Sequence, residues 1–127
     1  MILVDSSVWI RMFRSSGGAE IVRMDRVIDD AATCGVILQE VLQGIQPEHY
    51  VAGVRRSLLR HYYLETTQTT YLAAAEYGRK CRARGFCLAT ADALIAAVAI
   101  ERRAALWTLD KDFVRAAGFL PLRLHPG

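Results

Sequence analysis

A chain of 127 residues that is 53% hydrophobic, with positive mean hydropathy, can bury a real core and is too apolar to be disordered. Its net charge of +3 and pI near 9.0 rest almost wholly on arginine, since Lys80 and Lys111 are the only lysines. The longest purely apolar run, Ala93 to Ile100, is far short of the roughly 18 residues a membrane span requires, so no membrane association is expected.

In chain order, Ile2 to Val4 reads as a buried strand that stops at Asp5. Ser6 to Phe13 reads as a short helix, followed by a break at Ser15-Ser16-Gly17-Gly18. The spacing of Ile21, Met24, Ile28 and Ala31 predicts a helix over Glu20 to Ala32. Thr33 to Ile37 is expected as a strand and Leu38 to Ile45 as a helix, closed by Gly44 and Pro47. His49 to Tyr62 is amphipathic, and Tyr63 to Thr66 looks extended. Helices are predicted over Thr69 to Arg84, ending at Gly85, and over the Ala-rich Thr90 to Arg103. Ala105 to Thr108 should be a strand, Asp110 to Ala117 a helix and Leu120 to Leu124 a last strand. No repeat, low-complexity tract or dividing linker interrupts this series, so one domain spanning 1–127 is expected.

Strands alternating with helices predict an α/β domain with a mostly parallel sheet. In such sheets the ligand crevice lies outside the carboxyl ends of the strands. Asp5 and Asp110 both fall at such ends. Two more acids stand alone in apolar surroundings: Glu40 within VILQEVLQGI and Asp92 before ALIAAVAI. Taken singly, each has an ordinary explanation, as a helix cap, a first-turn acid or a surface glutamate. Gathered in one site, they would repel unless a divalent cation joined them. An all-oxygen donor set suits Mg²⁺ or Mn²⁺. Such a centre can activate water and stabilise the leaving oxygen in phosphodiester cleavage.

The remaining chemistry is sparse. Cys34, Cys81 and Cys87 form no C-x-x-C pair, which fits reduced thiols in a cytoplasmic protein better than a disulfide frame or zinc site. The N-terminus shows no basic region ahead of its apolar residues, so no signal peptide is expected. His49, His61 and His125 lie away from the acids, and no serine or cysteine has a base partner for covalent catalysis. Arginines cluster at Arg55, Arg56, Arg60 and at Arg79, Arg82, Arg84. They read either as solvated helix faces or as steering charge for an anionic polymer.

Four segments together resemble the signature blocks of PIN-domain ribonucleases: DSSVWI at Asp5, EVLQG at Glu40, TADALIAAVAI at Thr90 and LWTLDKDF at Leu106. Their order and the short chain resemble the VapC-type toxins of type II toxin–antitoxin pairs. The resemblance implies a three-layer α/β/α fold and a Mg²⁺- or Mn²⁺-dependent endoribonuclease acting on RNA. It implies a metal-binding, catalytic quartet of Asp5, Glu40, Asp92 and Asp110. Thr108 matches a position often held by a site-lining hydroxyl, and Asp112 is a further candidate carboxylate. Many relatives have Asn at the Asp110 position and use a later Asp, so the division between Asp110 and Asp112 is open. As ideal helical positions the two would point about 200° apart, which favours Asp110 as ligand and Asp112 as rim. The resemblance also implies a VapB-like antitoxin and a toxin homodimer. The first helix, apolar nearly all round through Val8, Trp9, Ile10, Met12 and Phe13, is either enclosed by the domain or part of a groove for that antitoxin.

Two other functions would use similar elements. A phosphoacceptor receiver domain also ends its first strand in Asp, but it needs an acidic pair there, and here Ser6 and Ser7 follow Asp5. A PIN-like module that binds RNA or protein without cutting shares every motif and is separated only by a cleavage assay.

Overall fold

The computed structural model describes residues 1–14 and 18–126. Of the expected break after the first helix, residues 15–17 lie outside the described residues. Four strands form one parallel sheet: β1 (Ile2–Val4), β2 (Ala31–Cys34), β3 (Tyr62–Leu64) and β4 (Ala105–Trp107), in the order β3-β2-β1-β4. The helices are α1 (Ser6–Met12), α2 (Gly18–Val27), α3 (Gly35–Gly44), α4 (Val51–Leu58), α5 (Gln68–Ala83), α6 (Thr90–Glu101) and α7 (Lys111–Ala116). The architecture is the expected three-layer α/β/α sandwich, and β2 is buried along its whole length as a sheet covered on both faces requires.

Boundaries moved where local periodicity was ambiguous. The helix expected to run to Ala32 stops at Val27; a single 3₁₀ turn over Ile28–Asp30 follows, and Ala31–Cys34 is strand. Alanines carry no strand signal of their own; pairing of Ala31 and Ala32 with Ile2 and Leu3 makes them one. The residues expected as the end of that strand, Gly35 to Ile37, instead open α3, which places Glu40 in mid-helix. The expected last strand over Leu120 to Leu124 reduces to one parallel bridge between Leu106 and Leu124, held by Leu106 N–H to the Arg123 carbonyl and His125 N–H to the Leu106 carbonyl.

The core runs through the sheet into α6. Leu3, Val4, Leu106, Trp107, Ile95, Val98 and Phe113 are fully or almost fully buried. Alanine on several sides of α6 lets it lie deep between the sheet and α5. Thr70 of α5 is buried and donates to the Glu101 carboxylate at 3.0 Å, tying the start of α5 to the end of α6.

Both long helices stop in the same way. After α5, Gly85 takes φ +78° while Phe86 N–H bonds Cys81 O at 3.0 Å and Gly85 N–H bonds Arg82 O at 2.9 Å. After α6, Ala104 N–H bonds Ala99 O at 2.9 Å and Arg103 N–H bonds Ile100 O at 3.2 Å. These are the paired bonds of a Schellman stop, whose left-handed residue is usually glycine. At the second stop it is Arg103, with φ 53°. An L-residue there costs about 1–2 kcal/mol, against about 0.5–1 kcal/mol of backbone entropy for glycine. Arg103→Gly is therefore expected to stabilise the protein by roughly 0.5–1 kcal/mol, read as a higher urea midpoint at constant slope. A lower midpoint would show that contacts of the arginine outweigh its backbone strain.

Candidate active site

The site forms at the carboxyl end of the sheet. β1 and β4 are neighbours, so Asp5 leaves one strand and Thr108 leaves the next side by side. Asp5 N–H bonds the Trp107 carbonyl at 2.9 Å, continuing the strand pairing into the site. The Asp5 side chain is almost completely buried. It occupies the N-cap position of α1 without making a capping bond. Instead the Ser7 and Thr108 hydroxyls donate to its Oδ2 at 2.7 and 2.8 Å.

These hydroxyls knit the two strand ends together. Ser7 Oγ accepts from Leu109 N–H at 3.0 Å, and Thr108 Oγ1 accepts from Asp110 N–H at 3.0 Å. Across the site, Ser6 Oγ donates to Glu40 Oε1 of α3 at 3.2 Å. Sequence reasoning attached no role to Ser6 or Ser7. The available signal was their place, immediately after a strand-ending Asp, where first-turn side chains lie beside the strand's end.

Asp92 lies in the first turn of α6, where the helix dipole favours an acid. Asp110 is the N-cap of α7 and accepts from Asp112 N–H at 2.9 Å. Carboxylate oxygens of Asp92, Asp110 and Asp112 all lie within 4.8 Å of one another. The expected divergence of Asp110 and Asp112 therefore does not occur. Asp110 has extended backbone angles, φ −85° and ψ 121°, so the 100° helical step does not relate it to Asp112. With its amide bonded back to Asp110, Asp112 stays on the cluster side.

The charges feel one another. Burial pushes the half-buried Asp92 carboxyl up to about 6, and Asp110, Asp5, Glu40 and Asp112 push it the same way. Glu40 is also raised, first by burial and further by Asp5, against the lowering effect of the Ser6 hydrogen bond. The Cys34 thiol at the end of β2 is raised chiefly by burial, with Asp5 and Glu40 adding to it, so it stays protonated beside the acids. Thus all four expected acids, together with Asp112, share one electrostatic neighbourhood.

These residues fit a hard divalent cation. The clustered donors are oxygens alone, and three carboxylates stand close enough to share one ion. Among the described residues the one ion pair joins Arg102 to Glu101, so no basic side chain neutralises any of the five acids.

Comparison with known proteins identifies the family. The PIN domain model matches residues 2–119, and the chain belongs to the PIN domain family. It is similar to ribonuclease VapC11 of Mycobacterium tuberculosis and to a VapC ribonuclease of Mycobacterium bovis, each 30% identical over 119 residues, or 89% of either chain. In fold it resembles a chain of the DNA-bound VapBC structure from Salmonella typhimurium, with a TM-score of 0.83 at 17% identity over 98% of this chain and 96% of that one. It also resembles Mycobacterium tuberculosis VapC20, described as a sarcin-ricin loop cleaving toxin, with a TM-score of 0.69 at 21% identity over 97% of this chain and 99% of that one.

The Asp92 shift has a stability consequence. A carboxyl raised in the folded state leaves stability intact below its ordinary pKa, and that stability is lost as pH rises through about 6. Asp92→Asn removes the penalty. In EDTA the variant should match the wild type near pH 4 and exceed it near pH 7 by roughly 1–2 kcal/mol, after discounting for solvent screening. Mg²⁺ should narrow the gap by stabilising the wild type. Thermal unfolding checks this, and a gap that does not change with pH would remove the charge-crowding account.

Proposed function

We propose that this protein is a divalent-metal-dependent endoribonuclease toxin, held inactive by a VapB-like antitoxin. The observation that carries the reading is the acidic cluster without a cationic side chain, on a PIN domain whose relatives are named ribonucleases. Asp5, Glu40, Asp92, Asp110 and Asp112 would hold Mg²⁺ or Mn²⁺. When bound, the cation supplies a lowered pKa for nearby water and charge compensation at the leaving oxygen.

The chain's own part is positional. Ser7 and Thr108 fix one Asp5 oxygen through two hydroxyls, and Ser6 orients Glu40. Asp110 is aimed by the backbone of its own cap. The substrate phosphate is brought to these oxygens by arginine-bearing surfaces outside the cluster. None of the three histidines belongs to the acidic group, so proton transfer by imidazole has no place in this reading.

The antitoxin reading rests on the solved VapBC structures of the same fold and on the surface around α1. Val8 and Trp9 are buried, so the domain itself encloses most of that helix. Phe13, just past the end of α1, and Ile21 and Val22 of α2 remain about half exposed and are available to a partner helix. The partner should co-purify when co-expressed from a neighbouring reading frame, and the toxin is expected to be a homodimer.

Purified protein should cleave structured RNA with Mg²⁺ or Mn²⁺ and stop in EDTA. Asp5→Asn keeps the size and an acceptor oxygen, so it should fold and lose cleavage by about 100-fold or more, the scale of a lost electrostatic catalytic group. Full activity in EDTA or in folded Asp5→Asn would defeat the metal reading. Asp110→Asn retains the cap, and Asp112→Asn retains its backbone bond. Because the two carboxylates face one cluster, each substitution should lower cleavage at least about tenfold. An untouched Asp112→Asn would leave Asp110 as the sole ligand from this segment.

A further inference from the structure

Two arginine–aromatic pairs cross one seam in opposite directions. Arg115, in the last turn of α7, lies over the Phe86 ring, 4.5 Å from its centroid. Arg84, the C-cap of α5, lies over the Phe119 ring at 5.2 Å. Each side of the seam thus supplies one guanidinium and one ring. One side is the connection between α5 and α6, residues 84–89, which leads into the helical turn that carries Asp92. The other is the end of α7, whose cap is Asp110 and whose first turn carries Asp112. The two pairs therefore clasp the segments that deliver the three carboxylates crowded within 4.8 Å.

Helix α7 needs such a tie. Its six residues make less than two turns, too few to hold a helix by its own hydrogen bonds. The like charges of Asp110, Asp112 and Asp92 push the starts of α6 and α7 apart. Phe113 and Ala116 bury one side of α7 in the core, but apolar packing is non-directional. The partner of Arg115 is informative. Arg115 stands three residues after Asp112, a spacing at which acid and base can pair along a helix. Among the described residues it is in no ion pair, and its guanidinium lies on the buried Phe86 ring. An arginine placed to neutralise the cluster would turn to Asp112. This one ties α7 to the segment ahead of α6 and leaves the Asp112 charge in place.

We propose that Arg84, Phe86, Arg115 and Phe119 are positioning residues that set the spacing of Asp110 and Asp112 from Asp92, and through it the affinity of the cluster for a divalent cation. This rests on the reading of these acids as a metal site and adds to it the residues that fix its width.

A plainer role for both arginines is compensation of helix dipoles, since each stands at a helix C-terminus. The sign of the effect separates the two. Removing positive charge near a cation site tightens cation binding if charge alone acts. Removing the clasp weakens it.

The test is Mn²⁺ titration calorimetry on the full-length protein, at a temperature where circular dichroism shows every variant folded. Arg84→Met/Arg115→Met keeps long helix-compatible side chains without the charge. It should raise the Mn²⁺ dissociation constant about threefold to tenfold, within what two exposed cation–π contacts supply. Phe119→Leu removes no charge and should also weaken binding. Adding Arg84→Met to Phe119→Leu should weaken it no further, because the two side chains form one interaction. The Mn²⁺ concentration for half-maximal RNA cleavage should rise in step, with the rate at saturating Mn²⁺ near that of the wild type. Arg23→Met/Arg26→Met on α2 controls for net charge and should leave the dissociation constant at or below the wild-type value. Unchanged or tighter Mn²⁺ binding by the clasp variants, additive losses in the Arg84–Phe119 pair, or an equal loss in the α2 control would each overturn the clasp while leaving the metal reading intact. A folded wild type that binds no Mn²⁺ would take both down.

Discussion

Five carboxylates at one end of a parallel sheet, with no basic side chain paired to any of them, are the constraint around which the rest of this structure is arranged. Like charges at this spacing repel, and partial burial strengthens the repulsion by lowering the local dielectric. The fold can bear this because each acid is anchored by backbone that is secured elsewhere. Asp5 is fixed by strand pairing with Trp107, Asp92 by a helix buried in the core, and Asp110 by the cap of α7. None of these anchors depends on the charge itself.

The sheet order makes the convergence possible. With β1 central and β4 beside it, the segments after Val4 and after Trp107 must emerge together. β2 on the other side delivers Cys34 and the start of α3, so Glu40 reaches the site one helical turn later. Residues from distant parts of the chain thus meet through parallel strand order alone. The hydroxyls of Ser7 and Thr108, 101 positions apart and 3.3 Å from each other, mark the seam.

How much of this was legible in sequence depended on which force set each feature. Ile2–Val4 is a run of large apolar residues bounded by a charge, and its strand was readable to the residue. Ala31 and Ala32 form strand only because β1 lies beside them, so a local reading extended the preceding helix over them. Leu120 to Leu124 is apolar enough for a strand but forms one bridge, since at the sheet's edge only Leu124 falls into register with β4. The four acids were legible because each interrupts an apolar segment, where a charge needs a reason. The hydroxyl network was not, since serine and threonine are common after strands and only tertiary contact shows what they hold. Asp112 was placed on the rim by ideal helix geometry that does not apply across a cap.

Using hydroxyls, and not lysine or arginine, to position the acids has a further consequence. A cationic side chain would stabilise the cluster in isolation, but it would also occupy the place and supply the charge that a metal ion brings. Hydroxyls orient the oxygens while leaving the negative field nearly undiminished, so the charge a divalent cation would answer is kept at the cost of stability. The same field repels a polyanion such as RNA. Basic charge must therefore be near enough to recruit the strand, yet outside ion-pair distance of the acids. Arg79 and Arg82 stand exposed on α5 and are in no ion pair among the described residues, while Asp92 stands at the head of α6. With the two charges on adjacent helices, neither set of side chains cancels the other.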